Sequence, residues 1–154
     1  MVALVYFDSS AFVKLLTEEA GSDLAAELWK GCDGALSSRL AYPEVRAALA
    51  AAFRRGGLEA RAFASAERAW EVYWSATWPI DFTRAVERDA GRLAHDHALR
   101  GADAVHLASA LALGDPDLIV AVWDRRLHAG VRANHLGVAP ATIAGREAAV
   151  RQHV

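Results

Sequence analysis

The feature that most constrains the fold of this chain is an unbroken apolar run near its start that ends in an acid. All six residues from Val2 to Phe7 are apolar, and Asp8 follows them directly. A short apolar run rich in valine and aromatic residues predicts a strand buried on both faces. Ser9 and Ser10 are good helix N-caps, so we predict that a helix begins after the acid. This order places the Asp8 carboxylate at the C-terminal edge of a sheet, where open α/β folds bind ligands.

The same order recurs near the other end of the chain, where the apolar run Leu118 to Trp123 ends at Asp124. Segments with helical periodicity alternate with short extended segments between the two runs. The further predicted helices span about 23–30, 43–55, 58–76, 83–99, 102–111 and 125–136, and the weaker predicted strands span 34–38 and 138–143. Pro79 makes residues 77–82 extended. This alternation predicts the α/β fold class, with a parallel sheet flanked by helices.

Length and composition narrow the class of protein. A chain of 154 residues is expected to form a single domain, here 1–144, followed by a polar tail, 145–154. The net charge of −2 gives no overall positive field that would indicate nucleic-acid binding. Cys32 is the one cysteine, which excludes an intrachain disulfide and a cysteine-based metal site. The first apolar run is too short for a signal peptide or a membrane span, so a cytoplasmic protein without a membrane partner is expected.

Four carboxylates stand out by their position along the chain. Asp8 and Asp124 each end an apolar strand, and Glu44 and Asp103 each lie in the first turn of a predicted helix. In a parallel sheet these positions meet at one edge, where four acids require a compensating cation. Carboxylates without a His or Cys cluster suit Mg²⁺ or Mn²⁺, which would activate water for phosphodiester hydrolysis. Acids in first helical turns are equally expected from the helix dipole, and the residues alone leave both interpretations open.

The motifs around these acids resemble those of the PIN-domain family, specifically the VapC-type toxin ribonucleases. Residues 6–15 are similar to the opening motif of the family, and Glu44 to its helix-borne glutamate. Residues 103–110 are similar to its most recognisable motif, and 123–127 to its last. The matches occur in the family's order, from Val2 to about Ile143, and the four together are specific.

The resemblance implies a three-layer α/β/α sandwich with a mostly parallel central sheet. It also implies that four catalytic residues hold Mg²⁺ or Mn²⁺, namely Asp8, Glu44, Asp103 and Asp124. The implied activity is metal-dependent endonucleolytic cleavage of RNA by the toxin of a type II toxin–antitoxin pair. The implied partners are the RNA substrate, a VapB-type antitoxin and a second copy of the chain in a homodimer.

Several neighbouring residues are secondary candidates. Arg46, Arg125 and Arg126 are expected to contact substrate phosphates, with solvated helix charge as the alternative. Ser10 either hydrogen-bonds into the site or caps the first helix. His106, one turn after Asp103, is interpreted as a core or supporting residue. Val122 departs from the resembled pattern, which often has Thr or Ser two residues before the last acid.

Two other functions remain open at this stage. One is another Mg²⁺-dependent phosphoryl hydrolase, such as a phosphatase. Ser9 and Ser10 disfavour it, because an aspartyl-phosphate mechanism commonly needs a second acid at that point. The other is a non-catalytic PIN-like module that binds RNA or protein. Such a module is expected to have lost one of the acids, and this chain has all four.

Overall fold

The architecture is a single parallel sheet between two layers of helices, seen in a computed structural model that describes residues 2–143. The described strands are β1 (Leu4–Phe7), β2 (Gly34–Ser38), β3 (Thr77–Ile80), β4 (Ile119–Ala121) and β5 (Gly137–Ala139). The described helices are α1 (Ser9–Leu16), α2 (Ser22–Gly31), α3 (Ala41–Arg54), α4 (Ala60–Ser75), α5 (Arg84–His97), α6 (Gly101–Ala112) and α7 (Arg125–Ala133). The strand order is β3-β2-β1-β4-β5, and every neighbouring pair is parallel. The predicted three-layer α/β/α fold is confirmed.

The two sides of the sheet bury separate hydrophobic cores, because successive strand side chains point to opposite faces. Tyr6 and Val120 pack with buried residues of α5, α6 and α7 on one side. Phe7 and Ala121 pack with residues of α1, α3 and α4 on the other, where Trp70 is fully buried. The apolar runs therefore form strands covered on both faces, as their composition predicts.

The segment around Pro79 is a strand rather than only an extended connection. It forms β3, which pairs in parallel with β2 from Ala35↔Thr77 to Ser38↔Ile80. Proline is tolerated there because β3 is the edge strand, so the missing N–H costs no hydrogen bond to a further strand.

The first helix is capped by Asp8 and not by the serines that follow it. The Asp8 carboxylate accepts a hydrogen bond from the Ala11 N–H at 3.0 Å, and Ser9 and Ser10 lie inside α1. An aspartate is as good an N-cap as serine, so the predicted cap lies one residue too late. Asp124 caps α7 in the same way, through the Leu127 N–H at 3.0 Å.

The topology brings the four acids to one edge of the sheet. β1 and β4 are parallel neighbours, and the Asp8 N–H donates to the Ala121 carbonyl at 3.2 Å, so the two following acids lie at the same end. Glu44 is in the first turn of α3, which follows β2. Asp103 is in the first turn of α6, whose chain leads back into β4.

Two sequence predictions concern the ends of the chain and the membrane. The predicted tail, 145–154, lies outside the residues that the structure describes. Among residues 2–143, the helices are all too short or too polar to cross a membrane.

Candidate active site

Asp8 is a buried carboxylate held by two hydrogen bonds at the start of α1. Its side chain is 4% exposed. Its Oδ1 accepts hydrogen bonds from the Ser10 hydroxyl at 2.6 Å and from the Ala11 N–H at 3.0 Å. Burial raises the pKa of Asp8 to about 6, although the charge of His106 and the hydrogen bond from Ser10 act to lower it. Asp8 therefore gives up its proton close to neutral pH.

Glu44 is oriented by a chain of hydrogen bonds that reaches into the core. Its Oε1 lies 2.6 Å from both the Ser9 hydroxyl and Nε2 of His106. Nδ1 of His106 lies 2.7 Å from the Tyr6 hydroxyl, which accepts the Ser38 N–H at 3.1 Å. An ionised carboxylate can only accept hydrogen bonds, so Nε2–H of His106 donates to Glu44.

The pKa of Glu44 shows that this network favours the charged carboxylate. Partial burial alone would raise the pKa of Glu44. The hydrogen bond and charge of His106, with smaller effects of Ser9 and Arg100, outweigh burial and lower the pKa below its ordinary value. Glu44 therefore stays ionised at neutral pH, while Asp8 titrates near it.

Asp103 and Asp124 are joined by one arginine. The Nε of Arg100 donates to Asp103 Oδ2 at 3.0 Å, and a terminal nitrogen of the same guanidinium donates to Asp124 Oδ2 at 2.8 Å. Burial and the nearby charge of Asp124 raise the pKa of Asp103, while Arg100 acts to lower it. The hydrogen bond and charge of Asp103, with the charge of Asp124, raise the pKa of Arg100. Arg100 is thus the cation that compensates this pair.

The two halves of the site interact electrostatically. Glu44 raises the pKa of Asp8, and Arg100 lowers the pKa of Glu44. His106 lies within electrostatic reach of Asp103 as well as of Glu44. The four acids that the sequence singles out therefore belong to one interacting cluster at the sheet edge, as the topology requires.

The donor set fits a hard divalent cation, because carboxylates provide the oxygen ligands that Mg²⁺ and Mn²⁺ prefer. Nowhere among residues 2–143, however, are three or more His, Cys, Asp or Glu side chains already arranged so that they could hold a metal ion. Their oxygens face Arg100, His106, Ser9 and Ser10 instead. A bound cation would have to draw Asp103 and Asp124 away from Arg100.

Arg46 pairs with two glutamates that are not among the four acids. Arg46 forms ion pairs with Glu67 at 3.2 Å and Glu71 at 3.0 Å, which tie α3 to α4. Arg125 is exposed in the first turn of α7, and it borders the same cavity as Asp124. The contact of Arg46 and Arg125 with substrate phosphates stays a prediction.

Sequence reasoning missed two members of the site. The sequence pattern indicates Arg100 only as the end of the preceding helix, although it stands three residues before Asp103, a spacing that allows contact in a helical turn. The pattern indicates Tyr6 only as an apolar residue of the strand, and nothing in the sequence predicts its hydrogen bond to His106. Val122, at the position where the family pattern often has Thr or Ser, is fully buried and brings no hydroxyl to the site.

The comparison with family models decides which family has this site. A model described as the PIN domain matches residues 5–129, a span that includes all four acids. The chain belongs to the PIN-domain family. Two curated relatives of this PIN domain are ribonucleases VapC45 and VapC49 of Mycobacterium tuberculosis, strains CDC 1551 and H37Rv. Each is 68% identical over 140 residues, which is 91% of this chain and 97% of the relative.

Solved structures resemble this PIN domain in fold at low sequence identity. A crystal structure of PAE2754 from Pyrobaculum aerophilum aligns with a TM-score of 0.67 at 20% identity, over 88% of this chain and 83% of that one. The structure of VapC20 from Mycobacterium tuberculosis, described as a sarcin-ricin loop cleaving toxin, aligns with a TM-score of 0.61 at 20% identity. It covers 81% of this chain and 93% of that one. These likenesses support the three-layer fold.

Proposed function

We propose that this PIN domain is a metal-dependent endoribonuclease that hydrolyses RNA phosphodiester bonds, and that it is the toxin of a type II toxin–antitoxin pair. The observation that carries the proposal is the cluster of Asp8, Glu44, Asp103 and Asp124 at the C-terminal edge of the sheet. The relatives at 68% identity are named ribonucleases, which gives the cluster its substrate class.

The four carboxylates are the proposed catalytic residues and the proposed ligands of Mg²⁺ or Mn²⁺. When bound, the cation would polarise a phosphoryl oxygen and neutralise the acids. His106 and Ser9 fix the orientation of Glu44, and Ser10 fixes that of Asp8. Because burial raises the pKa of Asp8 to about 6 without metal, binding of the cation by this carboxylate is favoured as the pH rises past that value.

The proposal is tested by a cleavage assay on structured and ribosomal RNAs, with and without Mn²⁺. The wild type is expected to cut RNA only with the cation and to leave 5′-phosphates, and Asp8→Asn is expected to leave the RNA intact. Asp89→Asn is a matched control, because Asp89 is an exposed carboxylate on α5. Intact RNA in every reaction would refute the proposal.

The same assay separates the two other functions. Binding of RNA without cleavage by the wild type would indicate a non-catalytic RNA-binding module. Release of phosphate from a phosphomonoester, with RNA left intact, would indicate another phosphoryl hydrolase. A metal series with Mg²⁺, Mn²⁺, Ca²⁺ and Zn²⁺ would identify the cation.

We also propose a VapB-type antitoxin and a second copy of the chain as partners. Physical support for a protein partner comes from an apolar cavity of about 490 Å³ between α1 and α4, lined by residues such as Leu15, Leu16 and Leu58. Light scattering on the isolated chain gives its molar mass in solution, which distinguishes a homodimer from a monomer of 16.5 kDa. Co-expression with a candidate antitoxin should yield a stable complex without ribonuclease activity, and recovery of both chains separately would exclude that antitoxin.

A further inference from the structure

A second concave surface adjoins the acids and has the opposite charge. A cavity of about 450 Å³ opens next to Asp124 and is lined by Arg100, Trp123, Arg125 and Arg126 in addition to that acid. Three arginines and one acid therefore line this cavity together with Trp123, in a chain whose net charge is −2. This local excess of positive charge favours an anionic ligand.

Trp123 is fixed through its main chain as well as its ring. The main-chain N–H of Trp123 donates to the Ser10 hydroxyl at 2.9 Å, and this hydroxyl in turn donates to Asp8. The ring lies so close to the backbone of Gly21 that a Cβ added there would be 2.5 Å from Trp123 Nε1. Packing against Gly21 thus fixes the ring, and Trp123 directly precedes Asp124, one of the proposed catalytic residues. A fixed aromatic ring beside arginines is the arrangement that binds single-stranded nucleic acid, by base stacking and phosphate contact.

We propose, on the basis of the function proposed above, that this cavity is the subsite for one unpaired nucleotide next to the scissile phosphodiester bond. The base stacks on Trp123, and the adjoining phosphate contacts Arg126. A base in a duplex has both faces covered by its neighbours, so the subsite accepts RNA that is unpaired at this position. Every base has an aromatic face, so the subsite selects unpaired structure with little regard to sequence.

Binding of RNA to the Asp8→Asn variant tests the subsite without cleavage. The probes are a fluorescein-labelled single-stranded oligoribonucleotide and its duplex, followed by fluorescence anisotropy. Adding Trp123→Leu should weaken binding of the single strand about 10-fold or more, and leave binding of the duplex unchanged. Adding Trp123→Phe, which keeps an aromatic face, should restore most of the lost affinity. Adding Arg126→Gln should weaken binding and reduce the slope of log affinity against log salt by about 0.7.

Single abasic sites locate the stacked base. Removing the base at one position of the probe should cost as much affinity as Trp123→Leu, and should cost nothing more in the Trp123→Leu variant. Arg92→Gln, on the exposed face of α5, is the control for a general loss of positive charge. Thermal unfolding of each variant tests whether it is folded. If Trp123→Leu does not fold, Trp123→Phe and the abasic probes still test the stacking.

The outcomes distinguish this inference from the proposed function. Equal binding by Trp123→Leu and its parent, or an equal loss for single strand and duplex, would overturn the subsite even if the wild type cleaves RNA. A wild type that neither binds nor cleaves RNA would overturn both. Cleavage by the wild type together with a Trp123-dependent abasic position would support both.

Discussion

Nε2 of His106 lies 2.6 Å from Oε1 of Glu44, while Nδ1 of the same ring lies 2.7 Å from the hydroxyl of Tyr6. The imidazole is 2% exposed and the tyrosine is fully buried. Glu44, a proposed metal ligand, is therefore connected through His106 to a buried side chain of β1. Such a network orients an acid more rigidly than solvent would, which is the usual purpose of residues that support metal ligands. His106 therefore acts on the site through Glu44.

Replacing His106 by alanine should impair both folding and activity. It creates a buried cavity and leaves the Tyr6 hydroxyl without its partner, so the free energy of unfolding should fall by about 2–4 kcal/mol. Glu44 loses its main orienting donor, so kcat should fall as well. Tyr6→Phe is the matched variant, because it keeps the bond from His106 to Glu44. Urea unfolding should show a smaller loss for it, about 1–2 kcal/mol, with kcat nearly unchanged. An equal loss of kcat in both variants would contradict the positioning role.

Asp8 should make the metal-free protein less stable as the pH rises. Burial raises its pKa in the folded state to about 6, above the ordinary 3.8, so the folded state binds this proton more tightly than the unfolded state. The contribution of Asp8 to stability therefore falls between these two pH values and stays low above them. Asp8→Asn has the same shape and does not ionise. In EDTA it should exceed the wild type by up to about 3 kcal/mol above about pH 7, and the difference should vanish near the ordinary pKa.

Added Mn²⁺ provides the control for this pH dependence. The cation should stabilise the wild type at neutral pH and have little effect on Asp8→Asn, because binding requires the ionised carboxylate. Thermal unfolding over a pH series, with and without Mn²⁺, measures both effects. A wild type that gains stability relative to Asp8→Asn between the two pKa values without metal would contradict the raised pKa.

Ser10→Ala should shift the pH dependence of cleavage. The Ser10 hydroxyl donates to Asp8 at 2.6 Å and accepts from the main-chain N–H of Trp123 at 2.9 Å. Its hydrogen bond lowers the pKa of Asp8, so removing it should raise that pKa further and move the acid limb of kcat/KM to higher pH. Ser9→Ala is the control, because this serine contacts Glu44 and not Asp8. An acid limb that moves equally in both variants would show that Ser10 has no specific effect.

Arg100→Gln should bind Mn²⁺ several-fold more tightly than the wild type. The guanidinium bridges Asp103 and Asp124, so a cation that uses these two acids must first displace it. The uncharged amide competes less, because hydrogen bonds between ions are the stronger ones. Calorimetric titration of Mn²⁺ measures the change, and Arg92→Gln is the control for charge elsewhere on the surface. Unchanged or weaker Mn²⁺ binding would mean that Arg100 does not compete for these carboxylates.

The sequence predicted the strands and the four acids because each signal is local. An apolar run that ends at Asp8 or Asp124 requires a buried strand and places the acid just beyond it, whatever the rest of the chain does. Glu44 and Asp103 are predicted by their place at the start of an amphipathic helix. The parallel arrangement of the strands then brings all four to one edge without further information.

The long-range partners of these acids could not be predicted, since they come from contacts between distant segments. Tyr6 and His106 are 100 residues apart in the sequence, and only the packing of α6 against β1 and β2 brings them together. The spacing of Arg100 and Asp103 allows their local pair, but nothing in the sequence shows that Arg100 also reaches Asp124. Nor does the sequence show that Arg46 pairs with Glu67 and Glu71. Side-chain pairing of this kind depends on how helices dock, which local patterns do not specify.

Gly21→Ala should destabilise the protein and displace the indole of Trp123. Gly21 has φ of +94°, which strains any residue with a Cβ, and the new Cβ would lie 2.5 Å from Trp123 Nε1. We expect a loss of about 2 kcal/mol in the free energy of unfolding, measured in urea, and weaker binding of single-stranded RNA. Gly91→Ala is the matched control with the opposite sign. Gly91 lies within α5 with open space around it, so alanine should stabilise the helix by about 0.5–1 kcal/mol and leave RNA binding unchanged. Equal stability of the two variants would mean that neither the backbone at Gly21 nor its contact with Trp123 is constrained.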